Sequence, residues 1–230
     1  MRIAVMQPYF FPYIGYWQLI GCVDTFVLFD DVNYINRGWI NRNRILSNKI
    51  DYIRLPLLGA SQNKKINEVR VNLDDLFSKR NTKIIHETYR KAPYYKEIMP
   101  LIEKWMYIEN DLLSEYLGEQ IRMISRTLGI ENNTILSSSI EGLEKLRRED
   151  RIIAICRNLG ADKYYNPVGG VGLYDKGIFK EKGVDLFFIS PNLTPYKQFG
   201  TDFIPSLSII DMLMFCGLDY TRNMLKDYSI

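Results

Sequence analysis

Two short apolar runs near the start of the chain, at residues 3–6 and 25–29, are separated by a helical pattern at residues 14–21. The first run ends at Gln7 and the second at the pair Asp30-Asp31. Strands joined through a helix pair in parallel with a right-handed crossover, and such sheets bind ligands at their carboxyl edge. The pattern therefore predicts adjacent parallel strands whose polar ends lie on one functional edge.

A similar alternation returns in the last third of the chain. It predicts strands at residues 134–139, 163–166 and 184–189, and helices at residues 150–159, 173–182 and 206–216, the last capped by Ser206 and closed by Gly217. Strands that alternate with helices are typical of α/β proteins. We therefore predict an α/β fold with a mainly parallel sheet and flanking helices.

The middle of the chain departs from this alternation. Strand-like residues 44–46 and 52–55 flank a polar turn signal at residues 47–49. Two strand patterns around a short polar turn are the signature of a β-hairpin, which we predict here.

A helical stretch follows, at residues 73–128. Its boundary signals are a cap at Asn72 or Asp74, an interruption at Pro100 and a terminating Gly129. No flexible linker marks either end of the stretch. We therefore predict a single α/β domain over residues 1–230 with a helical insertion at residues 73–128.

The composition is that of an ordinary globular protein, with 47% hydrophobic and 25% charged residues in a chain of 230. The net charge of +3 is too small and dispersed to indicate nucleic-acid binding by itself. Three distant cysteines lack metal-site spacing, which favours buried thiols in a reducing compartment. The sequence has no signal-peptide pattern and no apolar run of membrane-spanning length. We expect a soluble cytoplasmic protein without a metal site.

Several motifs together carry a resemblance to a known family. They are MQPYFFPYIGY at residues 6–16, FDDV at residues 29–32, GWINRNR at residues 38–44, LGA at residues 159–161 with Tyr164, and LSIID at residues 207–211. In these motifs, which span nearly the whole chain, the sequence resembles the WbqC-like protein family. The resemblance implies a role in the biosynthesis of bacterial surface polysaccharide, such as the O-antigen of lipopolysaccharide, and leaves the reaction open.

The first candidate ligand site is the loop after the first strand, with Gln7, Tyr9, Tyr13 and Gly15. Gly15 would let the backbone approach a ligand at the start of the next helix. Class I synthetases and pantothenate-synthetase-like enzymes carry a His-x-Gly-His loop at this topological position. Here Tyr13 and Tyr16 replace both histidines, which weighs against ATP chemistry of that type. The alternative is an aromatic loop that only plugs the core.

Three side chains could move a proton. Asp30 and Asp31 could bind a sugar hydroxyl or accept a proton from an amine nucleophile, and the alternative is a loop cap through an Asx turn. His86 is the only histidine, so it could act as a general base near neutral pH. Its helical surroundings favour a structural role instead.

A basic and aromatic segment contains Trp39, Arg42 and Asn43, with Arg37 and Arg44 beside them. It could hold a diphosphate and stack a base or sugar, because a planar guanidinium donates two hydrogen bonds at once. The alternative is a set of solvated surface charges.

A further candidate anion site follows the predicted strand at residues 163–166. Asn166 ends that strand, and Gly169 and Gly170 could expose backbone N–H groups to an anion. The alternative is a flexible turn before a helix. Gln198, in an aromatic loop before the last helix, is another candidate ligand-binding residue.

Two functions fit these features. The first is a transferase or ligase that joins an acyl or aminoacyl group, glycyl for example, to the amine of a nucleotide-linked amino-deoxysugar. Its cofactor is unknown: the donor could use ATP, a thioester or an aminoacyl-tRNA, and the last is the one nucleic acid we expect as a partner. The second is a non-catalytic protein that binds or assembles sugar nucleotides, which the scarcity of histidine favours. An oligomer is compatible with either function.

Overall fold

Two buried strands from the start of the chain lie side by side at the centre of a sheet. The structure, a computed structural model, describes residues 1–46, 50–77, 79–200 and 202–230. Strand β1 (Arg2–Met6) pairs in parallel with β2 (Thr25–Leu28), and helix α1 (Ile14–Gly21) connects them. The adjacent parallel arrangement expected from the sequence is confirmed.

The other elements follow in chain order. The strands are β3 (Arg42–Leu46), β4 (Ile50–Arg54), β5 (Leu57–Leu58), β6 (Arg70–Val71), β7 (Asn133–Leu136), β8 (Lys163–Pro167), β9 (Asp185–Pro191) and β10 (Tyr228–Ser229). The helices are α2 (Leu73–Phe77), α3 (Arg80–Tyr89), α4 (Tyr95–Met106), α5 (Leu113–Thr127), α6 (Arg148–Asn158), α7 (Lys176–Glu181) and α8 (Ile209–Met224). Short 3-10 helices lie at Ile66–Glu68, Ser137–Ser139 and Val168–Gly170.

Within the described ranges, six strands form the central sheet in the order β10-β9-β8-β1-β2-β7. All neighbours are parallel except β10, which is antiparallel to β9. The chain moves outward from β1 through β2 to β7, then returns to the other side of β1 with β8. The strand order therefore reverses between β1 and β8, as in doubly wound α/β folds. The predicted α/β class with a mainly parallel sheet is confirmed.

Both faces of the sheet are covered by helices. Strand β1 alternates its side chains, so that Ala4 packs in one core with residues of α1, α5 and α8. Ile3 and Val5 pack in the other core with residues of α6 and α7. Because each face is buried, the central strands consist of continuous apolar runs.

The predicted hairpin is formed by β3 and β4, which pair antiparallel from Arg42 opposite Arg54 to Leu46 opposite Ile50. Its predicted turn, residues 47–49, lies outside the described residues. Helices α2 to α5 occupy the stretch in which a helical insertion was expected. That this stretch is an insertion within one domain stays a prediction.

Two local predictions were wrong. Pro100 lies inside α4, which continues through it although the proline supplies no N–H to the helix. Ser208, whose hydroxyl accepts a bond from the N–H of Ile210, caps α8 in place of Ser206, which has left-handed backbone at φ 57°. The end predicted at Gly217 is a break in the helix: the backbone there is non-helical, at φ 75° and ψ 179°, and a second helical segment of α8 follows to Met224.

Candidate functional site

Gln7 lies where the order of the strands reverses. The register of β1 against β8 puts Ala4 opposite Tyr165. Continued by three residues, that register places Gln7 opposite Val168. The register against β2 likewise places Gln7 opposite Phe29. Since neighbouring strands lie about 4.8 Å apart, Gln7 stands between the turn after β8 and the aspartates after β2. We call this region the carboxyl edge.

The aromatic loop folds back on the start of α1. The Tyr16 hydroxyl donates a hydrogen bond to the backbone carbonyl of Gln7 at 2.9 Å, and its ring centroid lies 5.5 Å from that of Tyr9. A Cβ atom at Gly15 would lie 2.6 Å from the Tyr13 ring, so the glycine makes room for that ring. Burial raises the pKa of the Tyr9 and Tyr13 hydroxyls. Tyr13, the N-cap residue of α1, makes no side-chain capping bond.

Asn43 anchors the same loop from the hairpin. Its side chain is buried, and its amide nitrogen donates to the backbone carbonyls of Phe10 and Phe11 at 3.2 and 2.9 Å. The Ser208 hydroxyl also donates to the carbonyl of Phe11, at 2.8 Å. Phe11 has a left-handed φ of 44°, so these bonds hold the loop in a conformation that is costly for a non-glycine residue.

Asp30 joins the ends of β2 and β7. Its carboxylate accepts bonds from the Ser137 hydroxyl at 3.0 Å, from the Ser138 N–H at 3.0 Å and from the Ser138 hydroxyl at 2.7 Å. Its side chain is fully buried. A carboxylate with this many donors stabilises the carboxyl edge. Its catalytic role stays a prediction.

Asp31 is held by two groups from distant elements. One carboxylate oxygen accepts a hydrogen bond from the Ser137 hydroxyl, and the other forms an ion pair with the Arg151 guanidinium of α6. The single hydroxyl proton of Ser137 can serve only one of Asp30 and Asp31 at a time. Asp31 keeps some solvent exposure, in contrast to Asp30. Of the two aspartates, only Asp31 is therefore within reach of a ligand.

The basic residues of the hairpin stack with aromatic rings on one face. The guanidinium of Arg42 lies 6.0 Å from the Trp39 ring and 5.0 Å from the Tyr52 ring. Arg44 lies 5.6 Å from Trp39, and Arg54 lies 5.2 Å from Tyr52. Arg42 also donates to two backbone carbonyls of the preceding turn. This stacking orders the arginine side chains. Trp39 remains exposed, at 40%.

Asn166 closes over the turn that follows β8. It is buried, and its side-chain oxygen accepts a bond from the Tyr164 hydroxyl at 3.2 Å. A Cβ atom at Gly170 would lie 1.8 Å from the Asn166 amide nitrogen, whereas one at Gly169 would meet nothing within 4 Å. The position of Asn166 therefore depends on glycine at residue 170.

Gln198 belongs to a buried cluster around Asp211. The Asp211 carboxylate accepts bonds from the Tyr89 hydroxyl at 2.8 Å, the Tyr196 hydroxyl at 2.7 Å and the Gln198 amide at 2.8 Å. Burial raises the pKa of Asp211 despite these donors. The cluster joins the start of α8 to α3 and to the loop before α8.

His86 is exposed on α3, and its Nδ1 atom lies 2.6 Å from the Tyr95 hydroxyl. Burial raises the pKa of the Cys22 and Cys156 thiols to about 12 and that of Cys216 to about 11, so these thiols are protonated near neutral pH. Across the part of the chain that the structure describes, no group of three or more His, Cys, Asp or Glu side chains is arranged to hold a metal ion.

The structure thus brings Gln7, Asp30, Asp31 and the turn with Gly169 and Gly170 to one edge. Arg42 begins strand β3 of the hairpin, and Trp39 lies in the segment just before it. The family model for the WbqC-like protein family matches residues 7–223. The chain belongs to the WbqC-like protein family.

The chain is also similar in sequence to a curated protein. An uncharacterized protein of Mycobacterium tuberculosis is 27% identical to it over 231 aligned residues, which cover 96% of this chain and 97% of the relative. No solved structure matches the chain. Among the described helices, none is both long enough and apolar enough to cross a membrane.

Sequence reasoning missed Ser137, Ser138 and Arg151, which contact the two aspartates. The serines were assigned to the strand that ends at Leu136, although a run of polar residues after an apolar strand marks a carboxyl edge. No local sequence pattern marks Arg151, because its contact with Asp31 joins residues that are 120 positions apart in the sequence.

Proposed function

We propose that this WbqC-like protein is an enzyme of bacterial surface-polysaccharide biosynthesis that forms an amide on the amine of a nucleotide-linked amino-deoxysugar. N-acylation and N-aminoacylation, such as glycyl transfer, both fall within this proposal. The observation that carries it is the position of Asp31, a partly exposed carboxylate that Ser137 and Arg151 hold at the carboxyl end of β2, one strand from the point where the strand order reverses. Open α/β sheets bind their substrates at that point.

The reaction needs a group that accepts one proton. The sugar amine attacks the carbonyl carbon of the acyl donor, a C–N bond forms, and the donor's leaving group departs with its bonding electron pair. The amine nitrogen then gives up a proton, which the Asp31 carboxylate is placed to accept. The Gln7 amide can orient the donor carbonyl or a sugar hydroxyl, because it offers both a donor and an acceptor.

The residues of the aromatic loop bear on the kind of donor. Tyr16 occupies one of the positions at which synthetase-like enzymes carry a histidine, but its hydroxyl is buried and donates to the carbonyl of Gln7. It is therefore not free to contact a phosphate. This favours a thioester or an aminoacyl-tRNA as the donor over adenylate chemistry at this loop.

The test is product formation. The purified protein is incubated with a nucleotide-linked amino sugar and one donor at a time: an acyl thioester, glycyl-tRNA, or glycine with ATP. Mass spectrometry should show the sugar nucleotide gaining the acyl or glycyl mass over many turnovers with one of these donors. The same sugar nucleotide without the amine should gain no mass. Tight binding of the sugar nucleotide without any product from any donor class would contradict the proposal.

A second function is favoured by one observation. Both carboxylates at the carboxyl edge already have protein partners, and Asp30 is fully buried. Such an arrangement also suits a protein that binds or assembles sugar nucleotides without catalysis. Binding without product in the experiment above would support this second function.

A further inference from the structure

A cavity of about 350 Å³ lies between the hairpin and helix α3. Its polar and aromatic wall residues include Tyr34, Asn41, Tyr52, Arg54, Arg80 and Asn81. Cavities that bind small molecules have volumes of roughly 300–1,000 Å³ and combine flat apolar surfaces with a few polar groups. This cavity has both properties.

The backbone around the cavity is fixed by side-chain bonds. The Asn81 side chain accepts a bond from the N–H of Arg54 at 3.1 Å and donates to the Arg54 carbonyl at 2.8 Å. On the opposite wall, the Tyr34 hydroxyl donates to Asn41 at 2.8 Å. These bonds join the hairpin to α3 and orient the wall before any ligand binds, which lowers the entropy cost of binding.

Two arginines, Arg54 and Arg80, and one carboxylate, Asp75, line the cavity, so two positive charges and one negative charge leave it with a formal charge of +1. In the described residues, neither Arg54 nor Arg80 forms an ion pair with a carboxylate. Arg54 stacks on the Tyr52 ring, which keeps its guanidinium ordered at the mouth of the cavity. Ordered guanidinium groups bind phosphate through paired hydrogen bonds, and tyrosine rings stack against bases.

We propose that this cavity binds the nucleoside diphosphate part of the nucleotide-linked sugar, with Arg54 and Arg80 on the phosphates and the base beside the partly exposed Tyr52 ring, since Tyr34 is buried. The assignment rests on the proposed function for the identity of the ligand. It differs from the earlier expectation that Arg42 contacts phosphate, because the Arg42 guanidinium already donates to the backbone carbonyls of Arg37 and Gly38.

The cavity is connected to the carboxyl edge by a short segment of chain. Tyr34 follows Asp31 by three residues, which can span at most about 11 Å when extended. The segment is held by bonds from the Ile66 N–H to the Val32 carbonyl at 2.9 Å and from the Tyr34 N–H to the Lys64 carbonyl at 2.8 Å. Under this assignment the sugar has to extend from the cavity past Tyr34 toward Asp31, over a backbone separation of at most about 11 Å.

Isothermal titration calorimetry with UDP, GDP, CDP and dTDP tests the assignment, with inorganic pyrophosphate as the probe for phosphate binding alone. We expect one nucleoside diphosphate to bind more tightly than pyrophosphate. Arg54→Ala and Arg80→Ala should each weaken that binding roughly ten- to a hundredfold, the range of a charge-assisted hydrogen bond. Arg126→Ala, a matched change at an exposed arginine of α5, should leave it unchanged.

Hydrogen exchange locates the ligand independently of the variants. Bound diphosphate should slow exchange in residues 50–57 and 80–84. Slower exchange only in residues 7–16 and 166–170, wild-type affinity in both arginine variants, or no nucleoside diphosphate binding would overturn the assignment. If the nucleoside diphosphate bound in the cavity but no amide product formed, only the proposed function would be overturned. If amide product formed at the wild-type rate in both arginine variants, only the assignment of the cavity as the nucleotide site would be overturned.

Discussion

Asp31 and Arg151 form a largely buried ion pair, with side chains that are 15% and 8% exposed. The Arg151 guanidinium also lies 5.1 Å from the Phe29 ring, and its Nε atom is buried without a hydrogen-bond partner among the described residues. A charged group that is buried away from water is stable only beside an opposite charge, so the Asp31 carboxylate and the Arg151 guanidinium hold each other in place. The pair therefore holds a carboxylate at the carboxyl end of β2, one strand away from the point between β1 and β8 where open α/β sheets bind ligands.

Asp30 should contribute to stability more than any exposed aspartate. Asp30→Ala leaves the buried N–H and hydroxyl donors of Ser138 without their acceptor, while Ser137 can still donate to Asp31, and we expect the free energy of unfolding to fall by about 3 kcal/mol. Asp219→Ala, at a surface position of α8, should change it by less than about 1 kcal/mol. Urea titration of both variants measures the difference. Equal stability of the two would show that the buried bonds of Asp30 contribute little.

Glycine should be required at residue 217, in the kink of α8, because a side chain there would collide with a neighbouring ring as well as strain the backbone. Gly217 and Gly129 have nearly the same φ, 75° and 74°, but only at Gly217 would a Cβ atom meet a neighbour, the Tyr94 ring at 2.6 Å. Gly129→Ala should therefore cost about 1 kcal/mol and Gly217→Ala several. Thermal melts compare them, and Tyr94→Ala should recover part of the second loss. Similar losses in both alanine variants would contradict the steric account.

Asp211 should make stability decrease as pH rises above about 4, the pKa of an unfolded aspartate. Because burial raises its folded-state pKa, the folded protein binds the proton more tightly than the unfolded chain in that window. The stability of the wild type minus that of Asp211→Asn should fall with rising pH. Asp24→Asn should show the opposite slope, because the Arg2 guanidinium lowers the pKa of Asp24. Thermal melts of the wild type and both variants from pH 3 to 8 measure these slopes. If the stability difference between the wild type and Asp211→Asn did not change with pH, the raised pKa of Asp211 would be refuted.

In the turn after β8, alanine at residue 170 should reduce turnover more than alanine at residue 169. Gly170→Ala displaces the Asn166 side chain, whereas Gly169→Ala meets no neighbour within 4 Å. If the turn contacts substrate, Gly170→Ala should reduce kcat/KM at least tenfold, and Gly169→Ala should reduce it much less. Steady-state assays with the identified donor measure both, and near-UV circular dichroism checks the fold. Equal activity of the two variants would separate this turn from the active site.

The sequence predicted the sheet well because its signals are local. The apolar runs that became β1 and β2, with α1 between them, carry their own periodicity and obey a general handedness rule. The helix boundaries were harder. Pro100 lies in the second turn of α4, past the first-turn positions that tolerate proline, yet the helix continues. Ser208 rather than Ser206 caps α8, because Ser206 has left-handed backbone.

The candidate site was predictable only as an edge of the sheet. Topology places Gln7, Asp31 and the Gly170 turn at the carboxyl ends of neighbouring strands, and that much follows from the pattern. The partners of Asp31 do not follow, because Arg151 and Ser137 come from distant elements with no local signal. Nor could the sequence show that Asn43 would be used inside the protein to hold the aromatic loop.

The central claim is that Asp31 accepts the proton of the amine at the carboxyl edge. The most direct measurement is the single-turnover rate of amide formation, followed by mass spectrometry, for the wild type, Asp31→Asn and Asp219→Asn. The account predicts that Asp31→Asn reduces this rate by about 10²–10⁴, the range of a lost general base, while affinity for the sugar nucleotide changes little and Asp219→Asn behaves as the wild type. A wild-type rate in a folded Asp31→Asn variant would contradict the account.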